Sequence, residues 1–207
     1  MDFLQVIEEV SNKMGPGRSP TFDEAHIFKA IENLGAGKPV GRKKLSHILG
    51  LGEGETRTLV KHLREKGLIE VSRRGMVLSK FGKEILSDLR SKVSRGVKVP
   101  ENSLTVGPCD IAVLIKDAAD SVRYGMEQRD TAIKVGALGA STLIFRDNTL
   151  VMPIPQDFCK KNQEIHDLLV KELEPEEDDV VVIASAEDER TAELAAKAIA
   201  LKMIKSC

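Results

Sequence analysis

Three short groups of cationic residues carry the chemistry most visible in this sequence. Arginine can bind a phosphate, or O6 and N7 of guanine, through two parallel hydrogen bonds, whereas lysine contacts phosphate as a point charge. We therefore expect these groups to contact double-stranded DNA, the middle group reading base edges and the outer two meeting backbone phosphates. The groups are Arg42, Lys43 and Lys44; Arg57, Thr58 and Lys61; and Arg73 with Arg74.

A helix must position the middle group. The sequence predicts it from about residue 54 to residue 66, with Leu59, Val60 and Leu63 sharing an inward face at helical spacing. Arg57, Thr58 and Lys61 then share another face, which carries charge and a hydroxyl. Gly67 ends the helix, because glycine adopts the left-handed conformation there without steric cost.

A hairpin follows this helix and positions the last cationic group. Residues 68–71 and 76–78 are predicted strands, and Arg73-Arg74-Gly75 forms the basic turn between them. Before the central helix, Thr21 and Glu24 fit a capping box that opens one helix, and residues 42–49 form another. This order matches the winged helix-turn-helix module, whose recognition helix enters the major groove while its wing touches phosphate or the minor groove.

Other interpretations of these residues remain open or are rejected. A basic helix face is also typical of an ordinary solvated surface. Gly50, Gly52 and Gly54 do not form a nucleotide-binding loop, since no strand precedes them and neighbouring glutamates would repel phosphate. The four histidines lack ligand spacing, and no Ser, Cys or His arrangement suggests a nucleophile. We therefore predict no enzyme activity, no cofactor and no metal site.

Charge divides the chain into two parts. Residues 18–100 hold 18 Lys and Arg against 9 Asp and Glu, a balance of 18 − 9 = +9, whereas residues 101–207 hold 12 against 20, a balance of 12 − 20 = −8. A basic half beside an acidic half indicates two domains, of which only one faces a polyanion. We predict a DNA-binding domain over residues 1–99 and a regulatory or dimerisation domain over residues 100–207.

The second domain is predicted to follow the order β-α-β-β-α-β-α. Residues 94–99 are expected to be a linker, residues 118–135 the first helix, and the continuous apolar runs 111–115 and 180–183 buried strands. The first six elements have the order of a ferredoxin-like domain, an antiparallel sheet with helices on one face, followed by an extra C-terminal helix. The fold class is therefore α+β, and the order of strands within the sheet stays open.

One helix of the second domain is a candidate ligand site. Val122, Met126 and Ile133 are expected to face inward with Arg129 among them, and a buried guanidinium requires a neighbouring anion. That anion is either an internal carboxylate, from Asp110, Asp117 or Glu127, or a bound carboxylate or phosphate ligand. The candidate ligand-binding residues are Asp117, Glu127 and Arg129.

Two apolar stripes suggest that the chain forms a homodimer. Phe3, Ile7, Val10 and Met14 form a narrow seam, and a second stripe runs from Phe81 to Val93. A dimer of winged helices reads two half-sites, so we expect inverted repeats in the DNA.

The chain resembles winged-helix transcription regulators over residues 21–95, about a third of its length. The resemblance rests on the segments Leu49-Gly50-Leu51-Gly52-Glu53-Gly54-Glu55, Arg57-Thr58-Leu59-Val60-Lys61, Gly67-Leu68-Ile69-Glu70, Leu78-Ser79 and Gly82. The two-domain layout is similar to archaeal winged-helix proteins whose second domain has no assigned function. The resemblance implies a domain that senses metabolites, and it offers no catalytic motif.

The remaining composition places the protein in the cytoplasm. The three cysteines are far apart, the first residues lack a basic segment typical of a signal peptide, and no apolar run reaches membrane-spanning length. We predict a DNA-binding transcription regulator controlled by a small anionic effector. The alternative is a protein-interaction adaptor whose winged helix binds a protein partner.

Overall fold

The computed structural model describes residues 2–12, 20–153 and 162–206. Contacts between Cα atoms divide the chain into two compact units, Met1–Leu89 and Arg90–Cys207. The sequence placed the domain boundary about ten residues later, between residues 99 and 100. Within the described ranges, no helix is both long enough and apolar enough to cross a membrane.

The first unit has the winged-helix order of elements. After α1 (Phe3–Ser11) come α2 (Glu24–Leu34), α3 (Arg42–Leu49), α4 (Glu53–Glu65), β1 (Ile69–Ser72), β2 (Gly75–Leu78) and α5 (Lys80–Lys92). The predicted order of helix, helix, turn, helix and hairpin is confirmed. Helix α3 has the predicted bounds because Gly50 ends it in the left-handed conformation, with φ at 71°.

The N-terminus of α2 differs from the prediction. Asp23 is the capping residue, and its carboxylate accepts a hydrogen bond from the backbone N–H of His26 at 3.1 Å. The proposed capping box of Thr21 and Glu24 is therefore wrong, and the Thr21 hydroxyl donates to Glu55 instead. Asp23 can cap the helix because its backbone is extended, which lets its side chain fold back over the first turn.

The Asp23 cap predicts a pH dependence of stability. Burial alone raises the pKa of Asp23, but the hydrogen bonds and charge of His26 outweigh burial and lower it. A lowered pKa means that ionised Asp23 stabilises the fold above its unfolded pKa of about 3.9, and that this contribution is lost as pH falls through the folded pKa. Asp23→Ala should lower the free energy of unfolding by about 1 kcal/mol near pH 7 and by less near about pH 3. Urea unfolding at both pH values measures this, and equal losses would contradict it.

The wing is a two-stranded hairpin with a basic tip. Ile69 pairs with Leu78 and Ser72 with Gly75, so the two arginines between them form the turn. Val40 adds a third segment to this hairpin by pairing with Met76. The backbone N–H of each residue donates to the carbonyl of the other at 2.9 Å. Gly75 has φ at 131°, and a Cβ there would lie 3.0 Å from the Val40 backbone. Glycine is therefore required where the hairpin meets this third segment.

Helix α5 packs closely against the base of the wing, and this contact predicts a large effect of one methyl group. A Cβ at Gly82 would overlap the backbone carbonyl of Leu68. Gly82→Ala should lower the free energy of unfolding by about 1–3 kcal/mol, because backbone must move to make room. Gly54→Ala is the matched control, since a Cβ there meets nothing within 4 Å and the site is helical. The control should stabilise the protein by up to about 1 kcal/mol, and equal urea midpoints for the two variants would contradict the packing account.

The second unit is built on a five-stranded antiparallel sheet. Its strands lie in the order β3-β4-β7-β5-β6, which the sequence had left open. The elements are β3 (Val97–Val99), β4 (Cys109–Ile115), a 3₁₀ turn (Ala119–Ser121), α6 (Met126–Lys134), β5 (Gly139–Arg146), β6 (Thr149–Val151), α7 (Gln163–Leu173), β7 (Val180–Ala186) and α8 (Glu189–Ile204). From β4 onward this is the predicted β-α-β-β-α-β-α order.

Helices cover both faces of this sheet, whereas one covered face was expected. Helix α7 packs on one face, where Ile165 and Leu169 join a core with Leu114 and Ile183. Helices α6 and α8 pack together on the opposite side. The sequence of the strands explains why both faces are covered. Strands β4 and β7 are apolar at nearly every position, a pattern typical of strands buried on both faces.

Two segments of the second unit were predicted incorrectly. The expected linker at residues 94–99 contains β3, which pairs with β4 through Lys98 and Ile111. The expected helix at residues 118–135 is only a 3₁₀ turn and α6, separated by Gly125 with φ at 75°. The Asp147-Asn148 turn is confirmed, since both residues have the positive φ that a two-residue hairpin turn requires.

Most residues of the apolar stripes expected to form a dimer are buried inside the chain. Ile7 and Val10 have no exposed surface, and Ile85, Leu89 and Val93 are at most 1% exposed. Met14 lies outside the described residues. Phe3 and Phe81 are partly buried. Most of both stripes therefore fills the core, and the homodimer remains a prediction.

Candidate nucleic-acid interface

Helix α4 presents a basic face to solvent and an apolar face to the core. Leu59 and Leu63 are fully buried, which fixes the rotation of the helix about its axis. Arg57, Thr58 and Lys61 are consequently exposed, as the helical spacing predicted.

The N-terminal turn of α4 is held by hydrogen bonds. The Gly52 backbone N–H donates to Glu55 Oε2 at 3.2 Å, and the Thr56 hydroxyl donates to the Gly52 carbonyl at 3.0 Å. Glu55 also accepts the Thr21 hydroxyl from the segment before α2. This end of a recognition helix is the part that meets base edges in helix-turn-helix proteins, so its position matters for readout.

The C-terminal half of α4 is tied to α1. His62 is 4% exposed, and its Nδ1 donates to the Val10 carbonyl at 2.8 Å, near the C-terminal end of α1. Lys66 Nζ lies 2.7 Å from Glu9 Oε2, and the hydrogen bond from Lys66 and its charge lower the pKa of Glu9. The buried histidine is a packing residue, and α4 is anchored at both ends.

A basic groove lies between the outer face of α4 and β1. Its volume is about 600 Å³. Three of the predicted DNA-contacting residues line it together. The lining residues are Arg42, Arg57, Val60, Lys61, Arg64, Glu65 and Val71.

Four residues that line the groove were not predicted to do so: Val60, Arg64, Glu65 and Val71. Val60 was expected to face inward with Leu59 and Leu63, but it is only partly buried. Arg64 lies seven positions after Arg57, so it follows Arg57 and Lys61 along one helix face. That spacing was visible in the sequence. Val71 is 52% exposed, because β1 is buried at its first residue and exposed along the rest.

The other predicted residues are exposed but do not line the groove. Lys43 and Lys44 lie in the first turn of α3, and Arg73 with Arg74 form the wing tip. The Thr58 hydroxyl donates to the Gly54 carbonyl at 3.1 Å, which leaves its oxygen as an acceptor. These positions suit contacts to a DNA phosphate backbone that continues beyond the groove.

Few of the groove cations are neutralised by the protein itself. In the described ranges, Arg42, Arg57, Arg64 and the two wing arginines have no carboxylate within 4.0 Å, while Lys61 lies 3.7 Å from Glu65. Several cations of the second unit are paired instead, at Lys98–Glu189, Lys116–Glu176 and Arg146–Asp178. The positive field of the first unit is therefore available to an external anion.

The premise for a ligand site in the second unit is wrong. Arg129 is exposed, and the residues of α6 that face inward are Gln128, Thr131 and Ala132. Asp117 lies 3.8 Å from Lys92, and Glu127 is exposed. Arg129 therefore needs no buried anion. The argument for a ligand site formed by Asp117, Glu127 and Arg129 no longer holds.

Comparisons with known proteins separate the two units. Residues 25–93 match the family described as the CggR N-terminal DNA binding domain, and residues 106–203 match DUF4443, a domain of unknown function. The Central glycolytic genes regulator of Bacillus subtilis is 36% identical over 62 residues, which are 30% of this chain and 18% of that protein. The chain thus matches less than a fifth of that curated relative.

A solved structure matches nearly the whole chain. A hypothetical protein from Pyrococcus horikoshii OT3 superimposes with a TM-score of 0.71 at 32% identity. The match covers 88% of this chain and 92% of that one. The chain therefore belongs to the same family as the Pyrococcus horikoshii protein, and it joins a CggR-type N-terminal DNA-binding domain to a DUF4443 domain.

Proposed function

We propose that this protein is a transcription regulator that binds double-stranded DNA through the basic groove of its first unit. The observation that carries the proposal is the groove itself, where arginines that have no carboxylate partner among the described residues lie between a recognition helix and a wing. Arg57, Lys61 and Arg64 face the base edges, while the first turn of α3 and the wing tip meet phosphates.

Salt dependence tests this proposal in the full chain. Phosphate contacts at Arg42, Lys43, Lys44, Arg73 and Arg74 should give a slope of log K against log salt of about −4.5 for each winged helix. A fourfold rise in salt should therefore lower affinity for mixed-sequence duplex about 500-fold. Fluorescence anisotropy at several salt concentrations measures the slope. Binding that is absent, or that does not change with salt, would contradict the proposal and favour a protein partner for the winged helix.

A small anionic effector and a cytoplasmic location remain predictions from the sequence. The exposure of Arg129 removes the earlier reason for placing an effector beside it. An effector would act through the second unit, whose acidic balance keeps it away from DNA.

A further inference from the structure

Exposed apolar side chains concentrate in the second unit. Four of the six large hydrophobic residues that are exposed in the described ranges fall within residues 124–138. Single exposed hydrophobic residues are ordinary, but a cluster of them marks an interaction surface. The six are Val71, Val106, Tyr124, Met126, Ile133 and Leu138.

The outer face of α6 carries two of these exposed apolar residues. Met126 is 59% exposed and Ile133 is 45% exposed. They lie seven residues apart, which places them on the same side of the helix two turns from each other. Arg129 and Asp130 lie between them and are also exposed.

The inner face of α6 is well anchored. The Thr131 hydroxyl donates to the Glu127 carbonyl at 2.7 Å and accepts a hydrogen bond from Lys202 Nζ of α8 at 3.1 Å. Gln128 and Ala132 are buried beside it. The apolar residues of the outer face are therefore held outward by the packing of the helix.

The outer face is complementary to itself under a twofold rotation. From Met126 to Ile133 the order is apolar, positive, negative, apolar. A twofold axis between residues 129 and 130 would bring each Met126 against the other Ile133. It would also bring each Arg129 against the other Asp130. This symmetry is what an interface between two identical copies requires.

We propose that α6 packs antiparallel against α6 of a second copy of this chain and forms a homodimer. A partner of different sequence would gain nothing from this internal symmetry, so a second copy is the occupant that the charges favour. The proposal concerns the second unit and does not depend on DNA binding by the first.

Neighbouring side chains enlarge the contact. A stable interface buries about 800 Å² on each partner, which is more than one short helix face supplies. Tyr124 is 68% exposed just before α6, and Leu138 is 40% exposed just after it. Val106 is close to Leu138, since Cβ atoms at Gly107 and Gly139 would lie 3.0 Å from Leu138 Cδ1 and 3.4 Å from Val106 Cγ2. These three residues would form the rim.

A charge exchange tests the pairing directly. The full chain should have a dimer mass by light scattering at micromolar concentration. Arg129→Asp should place two carboxylates opposite each other at two symmetric positions and raise the dimer dissociation constant at least about tenfold. Combining Arg129→Asp with Asp130→Arg should restore the dimer, because each pair re-forms with its charges exchanged. Lys171→Asp, an exposed charge reversal on α7, is the matched control and should remain a dimer.

Each result decides the proposal. A wild-type monomer mass at micromolar concentration would overturn it. A dimer that Arg129→Asp leaves unchanged would show that another surface forms the interface, which also overturns it. Loss of the dimer without rescue by the double exchange, with unchanged circular dichroism, would overturn the antiparallel pairing. The affinity of the wild-type protein for mixed-sequence duplex is measured on the same samples. This measurement distinguishes a failure of DNA binding by the first unit from a failure of dimer formation by the second.

Discussion

Arg57→Ala should relax base preference at one position of the DNA site and weaken binding to the preferred sequence by about 1–3 kcal/mol, or about 5- to 150-fold. Arg57 lies at the centre of the exposed face of α4, lines the groove, and has no carboxylate partner in the described ranges. Its guanidinium is therefore free to bind O6 and N7 of a guanine through two hydrogen bonds. Competition binding with a set of single-base variants of the site measures the preference at each position.

The pattern of losses distinguishes base readout from phosphate contact. Removing an arginine that reads a base should lower affinity mainly for the site that carries the preferred base. Affinity for mixed-sequence duplex should change little. Lys171→Ala in α7 serves as the control and should leave both unchanged. A loss of equal size on every sequence would show that Arg57 contacts phosphate and that its assignment to a base edge is wrong.

Removing both wing-tip arginines should weaken binding to all sequences nearly equally. Arg73→Ala with Arg74→Ala removes two exposed cations from the hairpin turn without touching the pairing of β1 with β2. Each lost phosphate contact should lower the magnitude of the salt slope by about 0.9, so the double variant should lose about 1.8. Anisotropy titrations at several salt concentrations give the slope.

A charge-conserving variant controls for the shape of the turn. Arg73→Lys with Arg74→Lys keeps both positive charges, and a phosphate contact needs the charge more than the guanidinium geometry. The lysine variant should therefore keep the wild-type slope. A slope that stays unchanged in the alanine variant would show that the wing tip does not meet the DNA backbone.

Local signals explain why most of the first unit could be predicted from the sequence. Gly50 and Gly67 mark turns by their left-handed conformation, and the buried leucines of α4 lie at helical spacing. The Asp23 cap was missed because Thr21 and Asp23 both offer suitable oxygens, and only the path of the chain decides between them. Arg64 was missed although it lies on the same helix face as Arg57.

Longer-range packing explains the errors in the second unit. Strand β3 has only three residues and exists because β4 offers it a pairing edge, which no local pattern reveals. Helix α6 reverses the usual rule, since polar Gln128 and Thr131 are buried while Met126 and Ile133 are exposed. The sequence prediction rested on apolar residues facing inward, and α6 does not follow that rule.

Selection of bound sequences from a random duplex library tests the central claim most directly. The claim is that the groove of the first unit reads DNA. The full chain should enrich one shared sequence motif at both low and moderate salt, and Arg57→Ala should broaden base preference at one position of that motif. Selected pools indistinguishable from the starting library at both salt concentrations, from protein shown to be folded, would contradict the claim.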